Sequence, residues 1–277
     1  HFAAWMLVAA PVTIGYLITH GRTYWAASTT AKMSVRMLTD TRALWVATCA
    51  GLMGLGVLIS QSLAGLTGLL AAAVLALLLS RRHFGARGRI GLIGATLLFA
   101  AVAWLTTNPS TGVLHRIEVT QGDDWGGRPA IWRATLGMAA HYPVFGIGLG
   151  AFEGAMPAYQ PPPVQFIFNH AHSQYLQWWS EGGAIGGAIA LFLFVSAFRL
   201  YLRRHRRDSG SLVHLREGAL AALVGLGIQS IWETPLVTPA VLWLAAVTAA
   251  FATERLSAHD APSEPVLKDA DDAEDAG

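Results

Sequence analysis

Six side chains between residues 128 and 181 have the types and spacing to do chemistry: Arg128, Trp132, Arg133, His170, His172 and Glu181. Histidine exchanges protons near neutral pH, and arginine is a fixed cation suited to oxyanions. A carboxylate just inside an apolar run is costly unless something pairs with it. Arg128 and Trp132 are four residues apart, so a helix puts them on one face and turns Arg133 well away. His170 and His172 lie in Asn169-His170-Ala171-His172-Ser173-Gln174, immediately before an apolar run. Histidines in such a place are either interfacial filler or working groups. Two of them within three residues, beside Asn169 and Gln174, favour a working site. In an extended segment both rings would also point the same way, as zinc ligands do. No third ligand follows at a recognisable spacing, Glu153 and Glu181 being only loose candidates, so no metal is expected.

The elements that must position these groups are legible around them. Gly126-Gly127-Arg128-Pro129 predicts a helix start, with Pro129 suited to the first turn, and the helix runs to His141. Pro143 stops it, and Gly146-Ile147-Gly148-Leu149-Gly150 predicts a flexible turn. Glycines so spaced occur in nucleotide-binding loops, but no βαβ context surrounds them here. Pro161-Pro162-Pro163 is a stiff extended piece, and Phe166, Ile167 and Phe168 after it are expected to dip into an interface. In Glu181-Gly182-Gly183-Ala184-Ile185-Gly186-Gly187 the glycines would let a neighbouring helix approach closely. Glu181 needs either a basic partner or a role in orienting a histidine, and Glu233 is a weaker case of the same kind.

Lipid is the solvent that the rest of the sequence suits. The 277 residues are 53% hydrophobic and 13% charged, with a mean hydropathy of +0.44; soluble domains carry about 25% charged residues. Seven blocks have spanning length: Ala3–Thr19, Leu44–Ser60, Leu63–Leu79, Ile90–Thr106, Tyr175–Leu200, Gly218–Ile231 and Leu236–Phe251. The sixth is the shortest. Arginine and lysine cluster in Gly21–Arg42, Arg81–Arg89 and Arg199–Arg207, and the positive-inside rule makes all three cytoplasmic. Seven spans satisfy that without conflict and leave residues 107–173 as one large extracytoplasmic loop containing short helices. The fold class is therefore all-α, a polytopic membrane helix bundle over residues 1–254. Residues 255–277, acidic and poor in apolar side chains, are expected to be a disordered cytoplasmic tail. The formal charge of +2 gives no support for nucleic-acid binding. The lone Cys49 can form no intrachain disulfide. No signal peptide is read at the start, and the chain is expected to be part of a longer protein.

Four motifs in order carry a resemblance: Gly127-Arg128-Pro129-Ala130-Ile131-Trp132; His141-Tyr142-Pro143-Val144-Phe145-Gly146-Ile147-Gly148-Leu149-Gly150; His170-Ala171-His172-Ser173-Gln174-Tyr175-Leu176-Gln177; and Glu181-Gly182-Gly183-Ala184-Ile185-Gly186. Together they resemble the O-antigen ligase/polymerase superfamily of bacterial envelope glycosyltransferases. The resemblance implies His172 as general base and Arg128 as a pyrophosphate contact, with Arg133, His170, Glu181 and Trp132 as further substrate-binding residues. One departure stands out. Family members often carry an arginine after the serine at the outer start of a span, whereas Ser60-Gln61-Ser62 is followed here by Leu63. Either Arg133, Arg116 or an upstream residue takes that role, or the acceptor chemistry differs.

The resemblance further implies a glycan donor on a polyprenyl pyrophosphate and a glycan or lipid acceptor. Transfer would be inverting and metal-independent, with no cofactor, on the outer face of the bacterial inner membrane. Membrane lipid and other envelope-assembly proteins complete the expected partners. Two alternatives compete: a transporter with an outer lid loop, and an inactive envelope-assembly scaffold. Transporters keep their polar features near the bilayer midplane, whereas here they crowd at one face.

Overall fold

The computed structural model describes residues 2–27, 40–60, 62–80, 128–160, 167–206 and 212–254. The expected span Ile90–Thr106, the loop up to residue 127 with Arg116, the Pro161–Phe166 piece and the tail from Arg255 lie outside the described residues. Every regular element among the described residues is helical. In chain order these are α1 (Phe2–Ala27), α2 (Thr41–Ile59), α3 (Leu63–Ser80) and α4 (Arg128–His141). A single turn α5 (Phe152–Ala155), α6 (Gln174–His205), α7 (Leu212–Gln229) and α8 (Pro239–Thr253) follow.

Three helices are long and apolar enough to cross a membrane: Phe2–His20 within α1, α2, and α6. Leu63–Ala76 of α3 and α8 are apolar but shorter. α1 and α6 outrun the expected spans of Ala3–Thr19 and Tyr175–Leu200, because backbone hydrogen bonding continues past the point where apolar sequence ends.

The core is a layer of α1, α7 and α8, with Ala4, Leu7, Val8, Ala222, Leu226, Val241 and Ala245 buried together. Small residues dominate it. In lipid, close van der Waals packing rather than water exclusion holds helices together, and that needs backbones to approach. The crossing of α3 and α7 shows how near they come. A Cβ on Gly68 would sit 2.6 Å from the Gly225 carbonyl oxygen, and one on Gly225 would sit 2.7 Å from that of Gly68.

This packing fixes two ends. Residues Ala3 and Gly65 touch near one end, where Gln229 also meets Gly68. At the other, Gly15 lies against the His214 carbonyl, and Tyr201 packs with Ala219 and Ala252. The second end holds the last turn of α6, with Arg203 and Arg204, and the start of α7.

α6 stands largely apart from the layer, and its C-terminal half exposes Ile189, Leu191, Phe192, Leu193, Phe194 and Phe198. Its N-terminal half is the reverse. Gln174, Gln177, Ser180 and Glu181 are buried, forming a polar stripe along one inward face.

Candidate active site

The site begins at a break in a helix. Within α6, Gly183 has φ 56° and ψ −158°, a backbone region that is essentially glycine-only. The break frees carbonyls and amides on both sides, and in an apolar setting they must find partners. The turn between α4 and α5 supplies them. Ile147 N–H donates to Ser180 O (2.8 Å) and Gly148 N–H to Glu181 O (3.0 Å). In the opposite direction, Ala184 N–H donates to Pro143 O (2.8 Å) and Ile185 N–H to Val144 O (3.1 Å). Gly146, Gly148 and Gly150 all have positive φ, so the turn needs its glycines for shape. Two sequence expectations change here. The Gly146–Gly150 turn is a clip tied to α6, not a flexible connection. Gly183 admits that turn rather than a neighbouring helix.

Glu181 sits at the clip and is buried. Its side chain accepts from Gly150 N–H (3.1 Å) and from Gln177 Nε2 (3.3 Å), and no basic residue pairs with it among the described residues. Gln177 Oε1 in turn accepts the Ala171 N–H at 3.2 Å. Gln177 thereby links the Glu181 side chain to the backbone of the residue before His172.

His172 is the one non-glycine residue with positive φ (49°) among the described residues. Such a backbone costs on the order of 1–3 kcal/mol and persists only where its surroundings over-determine it. They do so on both sides. Ala171 N–H is held by Gln177, and Gln174 N–H by Ser230 O (2.9 Å) and Glu233 O (3.0 Å). Gln174 Oε1 also accepts Leu236 N–H at 3.0 Å. The left-handed residue means that His170 to His172 is not a regular extended strand, which removes the geometric basis for reading the two rings as a metal pair.

Arg128 opens α4, as the glycine-proline start predicts, and its Nη2 lies 3.5 Å from Glu233 Oε1. At that length, with both side chains partly exposed, the pair contributes about 0–1 kcal/mol. His172 lies in reach of the same two charges. Burial lowers its pKa below that of an ordinary histidine; the Glu233 carboxylate opposes this, and Arg128 and His170 add to it. His172 is thus a neutral imidazole at neutral pH, the form that can accept a proton.

Trp132, one turn along α4 from Arg128, and His170 each bury a nitrogen, Nε1 and Nδ1, with no hydrogen-bond partner among the described residues. Buried donors and acceptors are normally satisfied, and these two lie on the elements that carry Arg128 and His172. Arg133 is exposed, makes no ion pair among the described residues, and is not one of the charges acting on His172. Arg128, His170 and His172 therefore come together, Glu181 is joined through Gln177 to the backbone between the two histidines, and Arg133 stands apart.

Gln174 and Gln177 stood in the third motif, but neither was expected among the site residues. The spacing of Gln177 and Glu181, four residues apart on one helical face, was the available signal. A family model described as O-antigen ligase matches residues 48–191, from within α2 to the middle of α6, just over half of the chain. No curated protein matches the chain.

Proposed function

The chain belongs to the O-antigen ligase family of membrane glycosyltransferases, and from that premise we propose that it moves a glycan from a polyprenyl pyrophosphate to an acceptor hydroxyl. The observation that carries this is the meeting of Arg128, His170 and His172 at one end of the helix layer, with His172 held neutral and strained. In the reaction the acceptor oxygen forms a bond to the anomeric carbon as the bond from that carbon to the pyrophosphate oxygen breaks. The leaving pyrophosphate takes the bonding electron pair. His172 takes the acceptor's proton, and Arg128 holds the pyrophosphate charge as it grows. A single displacement of this kind inverts the anomeric centre and requires no metal. Trp132 Nε1 and His170 Nδ1 are positioned to meet substrate oxygens.

The membrane frame is part of the proposal. Seven spans, with Ile90–Thr106 among them, place residues 107–173 outside and the arginine-rich end of α6 inside, in the inner membrane of a bacterium. Two facts support that orientation: Arg203 and Arg204 end α6 at the opposite end of the layer from His172, and Arg216 lies near the same end. The donor's lipid tail explains why such a site would sit at a bilayer face.

The test is reconstitution of the purified protein in liposomes with a labelled donor, counting polyprenyl pyrophosphate released and glycan transferred. His172→Ala is expected to lower transfer by at least about 100-fold, with membrane insertion unchanged. Undiminished transfer by that variant would reject His172 as the base. Donor crossing the bilayer without pyrophosphate release would mean a transporter, and neither event would mean a scaffold.

A further inference from the structure

Glu233 lies outside the stretch that the family model matches, in the turn between α7 and the short helical turn Pro235–Val237. It is nonetheless built into the site. Its carbonyl accepts Gln174 N–H at 3.0 Å, and Leu236 N–H donates to Gln174 Oε1 at 3.0 Å. The segment carrying Glu233 is thereby fastened two residues beyond His172. Its carboxylate faces two groups that can be cationic. One is Arg128, at 3.5 Å through a single contact. The other is His172, on which Glu233 is the opposing charge to Arg128 and His170. A pyrophosphate offers a guanidinium several oxygens and paired hydrogen bonds, where Glu233 offers one oxygen at the limit of hydrogen-bond range.

We propose that Glu233 is an exchanging counter-ion, holding Arg128 in the empty site, yielding it to the donor's pyrophosphate, and then pairing with His172 as that ring takes the acceptor's proton. The inference rests on the roles given above to Arg128 and His172. It gives each charge a partner in the empty site and in the reacting site. The empty site holds an Arg128–Glu233 pair, and the reacting site holds an Arg128–pyrophosphate pair and a Glu233–imidazolium pair. No unpaired charge is left in a half-buried setting, which would be costly. Glu233 acts through His172 and Arg128, so it is a positioning residue.

Unglycosylated polyprenyl pyrophosphate is the probe, bound to the whole chain in lipid nanodiscs, and the pH profile of glycan transfer is the second readout. Removing the internal competitor in Glu233→Gln is expected to tighten probe binding at least about threefold. The same variant should move the acid limb of transfer to lower pH, because the charge that raises the His172 pKa is gone. Glu233→Asp keeps the charge and should return both readouts toward the parent protein. Unchanged or weaker binding by Glu233→Gln, while Arg128→Gln abolishes binding, overturns the exchange alone. Equal tightening by Glu233→Asp and Glu233→Gln overturns it too, because the effect would then be one of shape. Binding that Arg128→Gln leaves intact removes the pyrophosphate role of Arg128 and the exchange with it.

Discussion

The two ends of the helix layer use ionisable side chains in different ways. At the end where α7 begins, most ionisable groups meet protein partners, while Arg204 Nε and His205 Nδ1 are buried without one among the described residues. Arg216 is fully buried and donates to the Ala252 carbonyl at 2.7 Å and the Glu254 carbonyl at 3.1 Å. It thereby closes the C-terminus of α8 with a cation, where the helix dipole favours one. His214 Nδ1 lies 3.2 Å from Glu217 Oε2. His20 Nε2 lies 2.6 Å from Asp40 Oδ2, and Asp40 Oδ1 also caps α2 through the Arg42 amide at 2.9 Å. At the end holding His172, the only ion pair among the described residues is long and half-open, Trp132 Nε1 and His170 Nδ1 are buried without partners there, and the histidine backbone is strained. What sets the His172 end apart is the strained histidine backbone beside a long, half-open ion pair.

The comparison is broken most severely by removing what holds the strained end in place. A Cβ at position 183 would fall 2.5 Å from both the Gly146 nitrogen and the Val144 oxygen. The Gly183 backbone also adds about 1–3 kcal/mol of strain for any other residue. Gly183→Ala should therefore expel the turn from the α6 break and remove its four hydrogen bonds. Transfer is expected to fall by about 100-fold or more, each tenfold loss being 1.4 kcal/mol of misplacement at the site. Limited proteolysis between α4 and α5 should accelerate in parallel. An active, protease-resistant Gly183→Ala protein would mean that the clip does not position His172.

At the end where α7 begins the expected loss is of stability instead. Arg216→Met keeps much of the side-chain volume but deletes both hydrogen bonds to carbonyls, at about 1.5–3 kcal/mol for each charged-group bond. Thermal unfolding in detergent should move to lower temperature, while transfer per folded molecule stays at the parent value. If Arg216→Met instead lowered the rate at unchanged stability, the two ends would be coupled and the division drawn here would fail.

These expectations draw on different layers of information. The helix α4 was legible to within a residue, because Gly127 and Pro129 open it and Pro143 closes it, all local signals. α3 was equally plain, an apolar block with a serine-containing turn before it. The break at Gly183 was not. Glycines in an apolar run usually serve helix packing, and this one is explained only by a turn arriving from almost forty residues earlier. The left-handed backbone at His172 is invisible for the same reason, since Ser230, Glu233 and Gln177 enforce it and two of them belong to another part of the chain. Residue types told which groups could react; the long-range backbone pairing that orders them had no signature in spacing.

The smallest expected effect concerns protons, and it sharpens the contrast between a strained, neutral histidine and its paired counterparts. Burial, Arg128 and His170 lower the His172 pKa, and Glu233 only partly offsets them. The folded value thus lies below the roughly 6.5 of a free histidine. Above both values the ring is neutral in the folded and unfolded chain, so proton binding adds nothing to stability. As pH falls through 6.5 and then through the folded value, the unfolded chain takes up the proton first, and this group disfavours the fold. The rate should follow the neutral ring: flat at neutral pH, half-maximal at a pH below about 6.5, and falling tenfold per unit beneath that. Transfer measured across pH 4.5 to 8 on protein shown to stay folded checks this. A midpoint above that of free histidine would mean that Glu233 outweighs burial, Arg128 and His170, reversing the balance on which the neutral base depends.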